Sequence, residues 1–339
     1  MYKPLFEISP YLLQLITEAT ELKTWIHQSV IDVSWLPTLQ RDTAMRLTHS
    51  STAIEGNPLS LHQVEAVIAG QDIPASLNAK IEVRNQFAAL KWISSRKNLE
   101  TITEKNLLHL HRIITDKLLQ EDQSGHYKIK PNRVINPKGQ TVYAPPPPEK
   151  ARPFTQALLT WINSDESHEL HPIITSAIAH YRLVSIHPFS DGNGRASRAL
   201  AIWLLYNRGF DTDHICALDE YFLNEHQLYY DKLNQARELD EDLTTWLEYV
   251  AKGVVQTLSQ TRERILSLQV SHKGPKISIT KRQEDVLRLL RDKGRLKSSD
   301  IVEVLKLTRA RIAQIMKPLV QAGLVICEGQ TRSTTYRLK

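Results

Sequence analysis

The sequence predicts a mainly α-helical protein with one β-hairpin in its middle and a winged helix-turn-helix at its C-terminal end. Three observations carry this. Apolar residues recur at helical spacing through the first third and again from Glu149 to Gln260. Helix breakers crowd one stretch, 124–148, around two short β-prone runs. Beyond Gln283, three short helical patterns precede two strand-like runs, the order of a winged helix-turn-helix.

The elements follow in chain order. Leu12, Leu15, Ile16, Ala19 and Leu22 mark a first helix, and Pro37 interrupts it. Ala44, Leu47, Ser51 and Ile54 mark a second, ending at Gly56 with Pro58 just beyond. Ser60 caps a helix from Leu61 to Ile68. Ala79 to Ser94 and Thr103 to Leu119 are two more, the latter capped by Thr103.

Gly125, Pro131, Asn136, Pro137, Gly139 and Pro145 to Pro148 then exclude helix. Arg133-Val134-Ile135 and Gln140-Thr141-Val142-Tyr143 read as strands of a hairpin turning at Asn-Pro-Lys-Gly. The proline run reads as a stiff extended link. Helices resume with a nearly continuous apolar run, Ile173 to Ile186, then Arg195 to Asn207, Asn224 to Ala236 and Leu243 to Gln260. Ser271 to Pro275 is polar and reads as a linker. Past it come helices at Gln283–Arg291, Ser298–Leu305 (capped by Ser298 or Ser299) and Thr308–Ala322, the last ending at Gly323. Leu324–Cys327 and Thr335–Leu338 are strands around Glu328-Gly329-Gln330.

With 339 residues, 41% hydrophobic and 24% charged, two or three domains are expected. Cys216 and Cys327 are the only cysteines, and they lack metal-ligand spacing, so a reducing, cytoplasmic setting is expected. No leader pattern opens the chain at Met1–Pro10, and no apolar run is long enough to span a membrane. The net charge of +6 is uneven: residues 273–339 carry +10 and the rest −4. A basic module on a mildly acidic body suits either DNA or an acidic protein partner.

The chemistry concentrates in 187–198. Gly192, Asn193 and Gly194 leave the backbone open, so a polyphosphate can reach the amide N–H groups. They open an apolar helix whose N-terminal dipole favours an anion. Arg195 and Arg198 share one face of its first turns and can both meet phosphate. Asp191 is placed to hold Mg²⁺. His187 ends the preceding helix, stopped by Pro188, and suits a general base near neutral pH. Phe189 is expected to anchor the loop. Neither a Walker loop nor a Rossmann fingerprint is present in the sequence.

The segment His187-Pro188-Phe189-Ser190-Asp191-Gly192-Asn193-Gly194-Arg195, with Arg198, resembles the Fic family signature at every fixed position. Ser51-x-x-x-Glu55-Gly56 resembles the family's inhibitory helix motif. Gly125-His126-Tyr127-Lys128 resembles the element before the family's flap, with Lys where Arg is common. Residues 133–148 resemble the flap, and Tyr229-Tyr230 with Leu233 and Arg237 resembles the helix on the adenine side. The resemblance covers about residues 5–255. It divides the chain into a regulatory region with the inhibitory helix (1–102), a catalytic core (103–255), a helix end and linker (256–274) and the winged helix (275–339).

The resemblance implies a Fic-type helical bundle that transfers AMP from ATP to a Ser, Thr or Tyr hydroxyl of a protein target and of itself. His187 would be the base, and Asp191 the Mg²⁺ ligand. Ser190 and the loop 192–194, with Arg195, would bind the phosphates, Arg198 holding the γ-phosphate. Tyr229 and Tyr230 would lie on the adenine side. Val142 and Tyr143 of the flap would dock the target by strand addition. Glu55 would pair with Arg198 and hold the enzyme off. It could instead position water for removal of AMP. Other family members use other donors, and the Fic body could serve a DNA-binding regulator as a nucleotide sensor. Arg309, Arg311 and Lys317 would face DNA if the winged helix binds it; target recruitment and homodimer support are the other uses.

Overall fold

The structure, a computed structural model, describes residues 2–31, 36–96, 99–135, 141–211, 213–271, 281–321, 324–329 and 334–338. The expected hairpin turn at Asn136–Gly139, Gln140, the linker residues 272–275, Ala322, Gly323 and Gln330 lie outside them. The chain forms two compact units, residues 1–23 with 40–261, and residues 24–39 with 262–339.

The N-terminal part is helical. α1 is Pro10–Ile31 and α2 is Leu36–Ile54. Pro37 does not separate helices; it lies in the first turn of α2, where its missing N–H has no intrahelical acceptor to lose. α2 stops because Gly56 turns the chain at φ +93°, and the N–H groups of Gly56 and Asn57 return to the carbonyls of Ala53 and Thr52. α3 (Leu61–Ile68) starts at a capping box: Ser60 Oγ accepts from Gln63 N–H and the Gln63 side chain accepts from Ser60 N–H. α4 (Leu77–Ser94) is capped by Ser76. α5 (Glu104–Thr115) is capped by Thr103 and ends earlier than the periodicity suggested, since Asp116 is already extended.

The hairpin is short. β1 (Val134–Ile135) pairs antiparallel with β2 (Thr141–Tyr143), Val134 opposite Tyr143, with an irregular register. Four helices then build toward the site: α6 (Pro148–Ile162), α7 (Asp165–Glu169), α8 (Pro172–Ile186) and α9 (Asn193–Asn207). α8 and α9 are buried on nearly every face, which explains why their sequences show little amphipathic contrast. They approach closely: Ser176 Oγ on α8 donates to the carbonyl of Ala201 on α9 at 2.9 Å.

The helix expected over Asn224–Ala236 is α11 (His226–Glu238); a short helix that the sequence did not show, α10 (Leu218–Asn224), precedes it, the break falling at Glu225. α12 (Thr244–Ser271) runs well past Gln260. Trp246 on α12 donates its indole N–H to the carbonyl of Ala177 at 2.8 Å and is fully buried.

The second unit contains α13 (Lys281–Lys293), β3 (Leu296–Lys297), α14 (Ser298–Leu305), α15 (Arg309–Gln321), β4 (Val325–Glu328) and β5 (Thr335–Leu338). Val286, Leu290, Ile301, Ile312, Leu319 and Val325 form its core. The sheet order is β3-β5-β4, with both pairings antiparallel. β3 escaped the sequence reading because two residues are too few to show alternation. It also changes the start of α14. Neither Ser298 nor Ser299 caps it: Lys297 is the capping position, Asp300 Oδ2 accepts the Lys297 N–H at 3.1 Å, and Ser298 N–H goes to the Thr334 carbonyl. In the same unit the Arg262 guanidinium lies 5.1 Å from the Trp25 ring. No helix among the described residues is long and apolar enough to cross a membrane.

Candidate active site

The loop between α8 and α9 is held by a set of buried bonds. His187 ends α8 in the left-handed region, φ +51°, with its N–H on the Leu183 carbonyl at 3.0 Å. A non-glycine residue there is strained, and the loop that follows must hold it. Phe189 is fully buried and stacks on His111 of α5, centroids 3.8 Å apart. The Asn193 side chain reaches back to Phe189, accepting its N–H and donating to its carbonyl, both at 2.9 Å. Asn132 donates to the same carbonyl at 2.9 Å, and Lys128 N–H donates to the Pro188 carbonyl at 2.8 Å. Gly125 N–H donates to His111 Nδ1 at 3.0 Å, so His111 carries its proton on Nε2 and donates it to the Asp191 carbonyl at 2.9 Å. Gly192 must be glycine: its φ is +76°, and a Cβ would meet Thr115 Cγ2 at 2.9 Å.

His187 Nδ1 lies 3.2 Å from the Val184 carbonyl. A carbonyl only accepts, so the proton is on Nδ1 and the Nε2 lone pair is free. Burial pushes the pKa of His187 down to about 4, the Val184 hydrogen bond opposing it only partly. The ring is therefore neutral at pH 7 and able to take a proton.

Gly192 stands at the start of α9 without any side-chain cap, leaving the first amides of that helix available to an anion. The carboxylate of Glu55, in the turn that ends α2, occupies this approach. It lies against Gly194, where a Cβ would collide with Glu55 Oε1. Glu55 Oε1 also accepts from Arg198 Nη2 at 2.8 Å. Ser51, one helical turn earlier, completes the contact: its Oγ accepts from Arg198 Nε at 3.0 Å and its carbonyl accepts from Nη2 at 2.8 Å. Arg198 is 1% exposed. Burial works against its charge, but Glu55, Tyr229 and Asp219 outweigh that and hold its pKa above the ordinary value. Asp219 of α10 lies 3.8 Å from Arg198 Nε; burial raises its pKa to about 6, against the pull of Arg198 and Ser51.

Arg195 does not share a partner with Arg198. Its Nη1 pairs with Glu82 of α4 at 2.8 Å, and its Nη2 lies 3.7 Å from Asp191 Oδ2. Ser190 and Asp191 are exposed on the open side of the loop. Asn193 projects inward, so its side chain braces the loop and only its backbone faces the helix terminus. In the hairpin Val142 is 44% exposed, whereas Tyr143 is anchored, its hydroxyl on the Ser185 carbonyl at 2.8 Å and its ring under Arg237 at 3.7 Å.

Tyr229, expected on the adenine side, is a core residue of this unit. It is 1% exposed, its hydroxyl 3.0 Å from His180 Nε2, packed with Phe222 and Trp246. Tyr230 is half-buried and keeps the more open position. The sequence reading missed Glu82, His111 and Asp219. His111 left one signal, a histidine inside the apolar stripe Leu107, Leu110, Ile114; Glu82 and Asp219 left none, being paired across long sequence separations.

Comparison with known proteins agrees with this picture. Residues 101–205 match the model of the Fic/DOC family, and residues 279–326 match the winged helix-turn-helix DNA-binding model. The chain carries a Fic/DOC family domain followed by a winged helix-turn-helix. It is similar to the protein adenylyltransferase Fic of Nematostella vectensis, 31% identical over 214 residues, covering 62% of this chain and 47% of that protein. The protein of the same name from Culex quinquefasciatus is 30% identical, covering 65% and 42%. The chain thus spans about half the length of these curated relatives. Among solved structures, a Fic family protein from Desulfovibrio desulfuricans G20 shares the fold at TM-score 0.68 and 24% identity, covering 100% of this chain and 98% of that one. Fic-1 from C. elegans gives TM-score 0.64 at 26% identity, covering 77% of this chain and 74% of that one.

Proposed function

We propose that this chain is a protein adenylyltransferase held off in its resting state by Glu55. The observation that carries the reading is one arrangement: a neutral His187 and an uncapped α9 N-terminus share a site with a buried arginine whose partner is a carboxylate from the turn that ends α2. ATP would place its phosphates over the α9 amides, with Arg195 and Arg198 as cationic partners and Tyr230 on the adenine side. The target hydroxyl oxygen attacks the α-phosphorus, its proton passes to His187 Nε2, and the bond from the α-phosphorus to the bridging oxygen breaks, releasing pyrophosphate. Fixed amides and guanidinium groups stabilise the charge that develops on the phosphates.

Asp191 fits a Mg²⁺ ion: its carboxylate is 66% exposed at the mouth of the loop, beside Arg195. Among the described residues no three His, Cys, Asp or Glu side chains group as a metal cage, so the ion would be shared with the nucleotide. When bound, Mg²⁺ neutralises phosphate charge. The exposed Val142 edge of the hairpin suits backbone pairing with a target segment.

Glu55 blocks this chemistry by holding Arg198 and standing at the α9 terminus, where phosphate charge belongs. The expected outcome with labelled ATP is that Glu55→Gly raises self-labelling and His187→Ala in the same background abolishes it. Equal labelling in all three proteins would overturn the reading.

A second function is supported for the C-terminal unit. Arg309, Arg311 and Lys317 are exposed on α15, the third helix of the winged motif, within a match to a DNA-binding family. We infer that this face binds duplex DNA. Affinity that falls steeply with salt, and loses slope when these three residues become alanine, is the expected result. No binding at low salt would leave the module to a protein partner.

A further inference from the structure

We propose that Glu82 is the positioning residue of Arg195, and that Asn57 orients Glu82. The inference rests on the reading of Arg195 as a phosphate-binding group and adds how that group is aimed.

The Arg195 side chain is 4% exposed, and a guanidinium so deep needs a permanent counter-charge. Asp191 cannot serve, since it sits 3.7 Å away and is itself the group offered to a cation. Glu82 can. Its Oε1 lies 2.8 Å from Arg195 Nη1 as an ion pair, while Nη2 lies 3.7 Å from Asp191 Oδ2 at the mouth of the loop. Glu82 comes from α4, a different helix from the one that leads to Glu55.

Glu82 is itself fixed. Its Oε2 accepts from Asn57 Nδ2 at 2.7 Å. Asn57 is 7% exposed, and both side-chain polar atoms and its N–H are bonded: Nδ2 also donates to the Ala79 carbonyl at 3.1 Å, Oδ1 accepts from Leu59 N–H at 3.2 Å, and its own N–H goes to the Thr52 carbonyl. One carboxylate therefore bridges the turn behind Glu55-Gly56 and the first arginine of α9. Glu55 and Glu82 look alike as arginine partners but act oppositely: Glu55 competes with phosphate for Arg198, while Glu82 prepares Arg195 to receive it.

The test uses the full chain and reads ADP and AMP affinity by calorimetry, with AMP as the control that lacks the second phosphate. Glu82→Gln is expected to weaken ADP about tenfold or more and leave AMP within about twofold, as for one displaced charge-assisted contact. Asn57→Ala should shift ADP in the same direction by less. Arg195→Ala combined with Glu82→Gln should lose no more than Arg195→Ala alone. In the Glu55→Gly background, Glu82→Gln should lower the labelling rate, and Glu82→Asp should recover part of it. Unchanged ADP affinity in both Glu82→Gln and Asn57→Ala overturns the proposal; so does a fully additive double variant. Should Glu82→Gln fail to fold, Asn57→Ala and Glu82→Asp carry the binding measurement. Absence of labelling in Glu55→Gly would instead sink the transferase reading, and the ADP-against-AMP comparison would still judge Glu82.

Discussion

Acid should unfold the first unit well before its carboxylates are exhausted, and the structure sets the size of the effect. His111 and His180 are buried and His187 is half-buried, all three neutral, with pKa values pushed down by desolvation to about 4, about 3 and about 4. In the unfolded chain each returns to the ordinary 6.5. Between those values the unfolded state binds more protons, so stability is full above pH 6.5 and falls as pH drops toward 4. From pH 7 to pH 5 each histidine removes about 2 kcal/mol, or about 6 kcal/mol for the three. Asp219 works the other way. Its raised pKa of about 6 lets the folded state take up a proton first, returning about 1 kcal/mol over the same interval. From these four groups the net loss is about 5 kcal/mol. That is a large part of a typical domain's stability. Urea unfolding at pH 7, 6 and 5, followed by fluorescence of the buried Trp161, Trp203 and Trp246, measures it. A midpoint that stays flat from pH 7 to pH 5 would refute the burial argument, as would a pH slope unaltered by replacing His180 with Gln.

Three further outcomes are expected. Gly192→Ala forces a side chain into φ +76° and against Thr115, costing about 1–3 kcal/mol in thermal unfolding and weakening ADP binding together. Asn193→Ala unpairs the buried Phe189 N–H while Asn132 still serves the carbonyl, so a loss of about 1–3 kcal/mol should appear in the unfolding midpoint. Tyr229→Phe removes the hydroxyl that meets His180 and should cost about 1 kcal/mol of stability, yet leave adenosine affinity unchanged; weaker adenosine binding without a stability change would restore Tyr229 to the adenine side.

The sequence by itself determined what is local. Capping at Ser60 and Thr103, the stop at Gly56, the hairpin between breakers and the order of the wing all follow from backbone chemistry within a few residues. The stretch 187–198 is local too: a helix end, a glycine turn and a helix start must put a histidine, open amides and two arginines in one place. The pairing of Glu55 with Arg198 was available only through the family resemblance, because 143 residues separate the two in sequence. Only the tertiary structure could part the two arginines, sending Arg198 to Ser51 and Glu55 and Arg195 to Glu82, since helical spacing says which face a residue shares and nothing about what packs on it. It also decided that Asn193 turns inward and Tyr229 lies in the core, because burial is a property of neighbours brought by α5, α8 and α12. The motif specifies an open helix terminus beside two arginines; the long-range carboxylates decide how each arginine is paired.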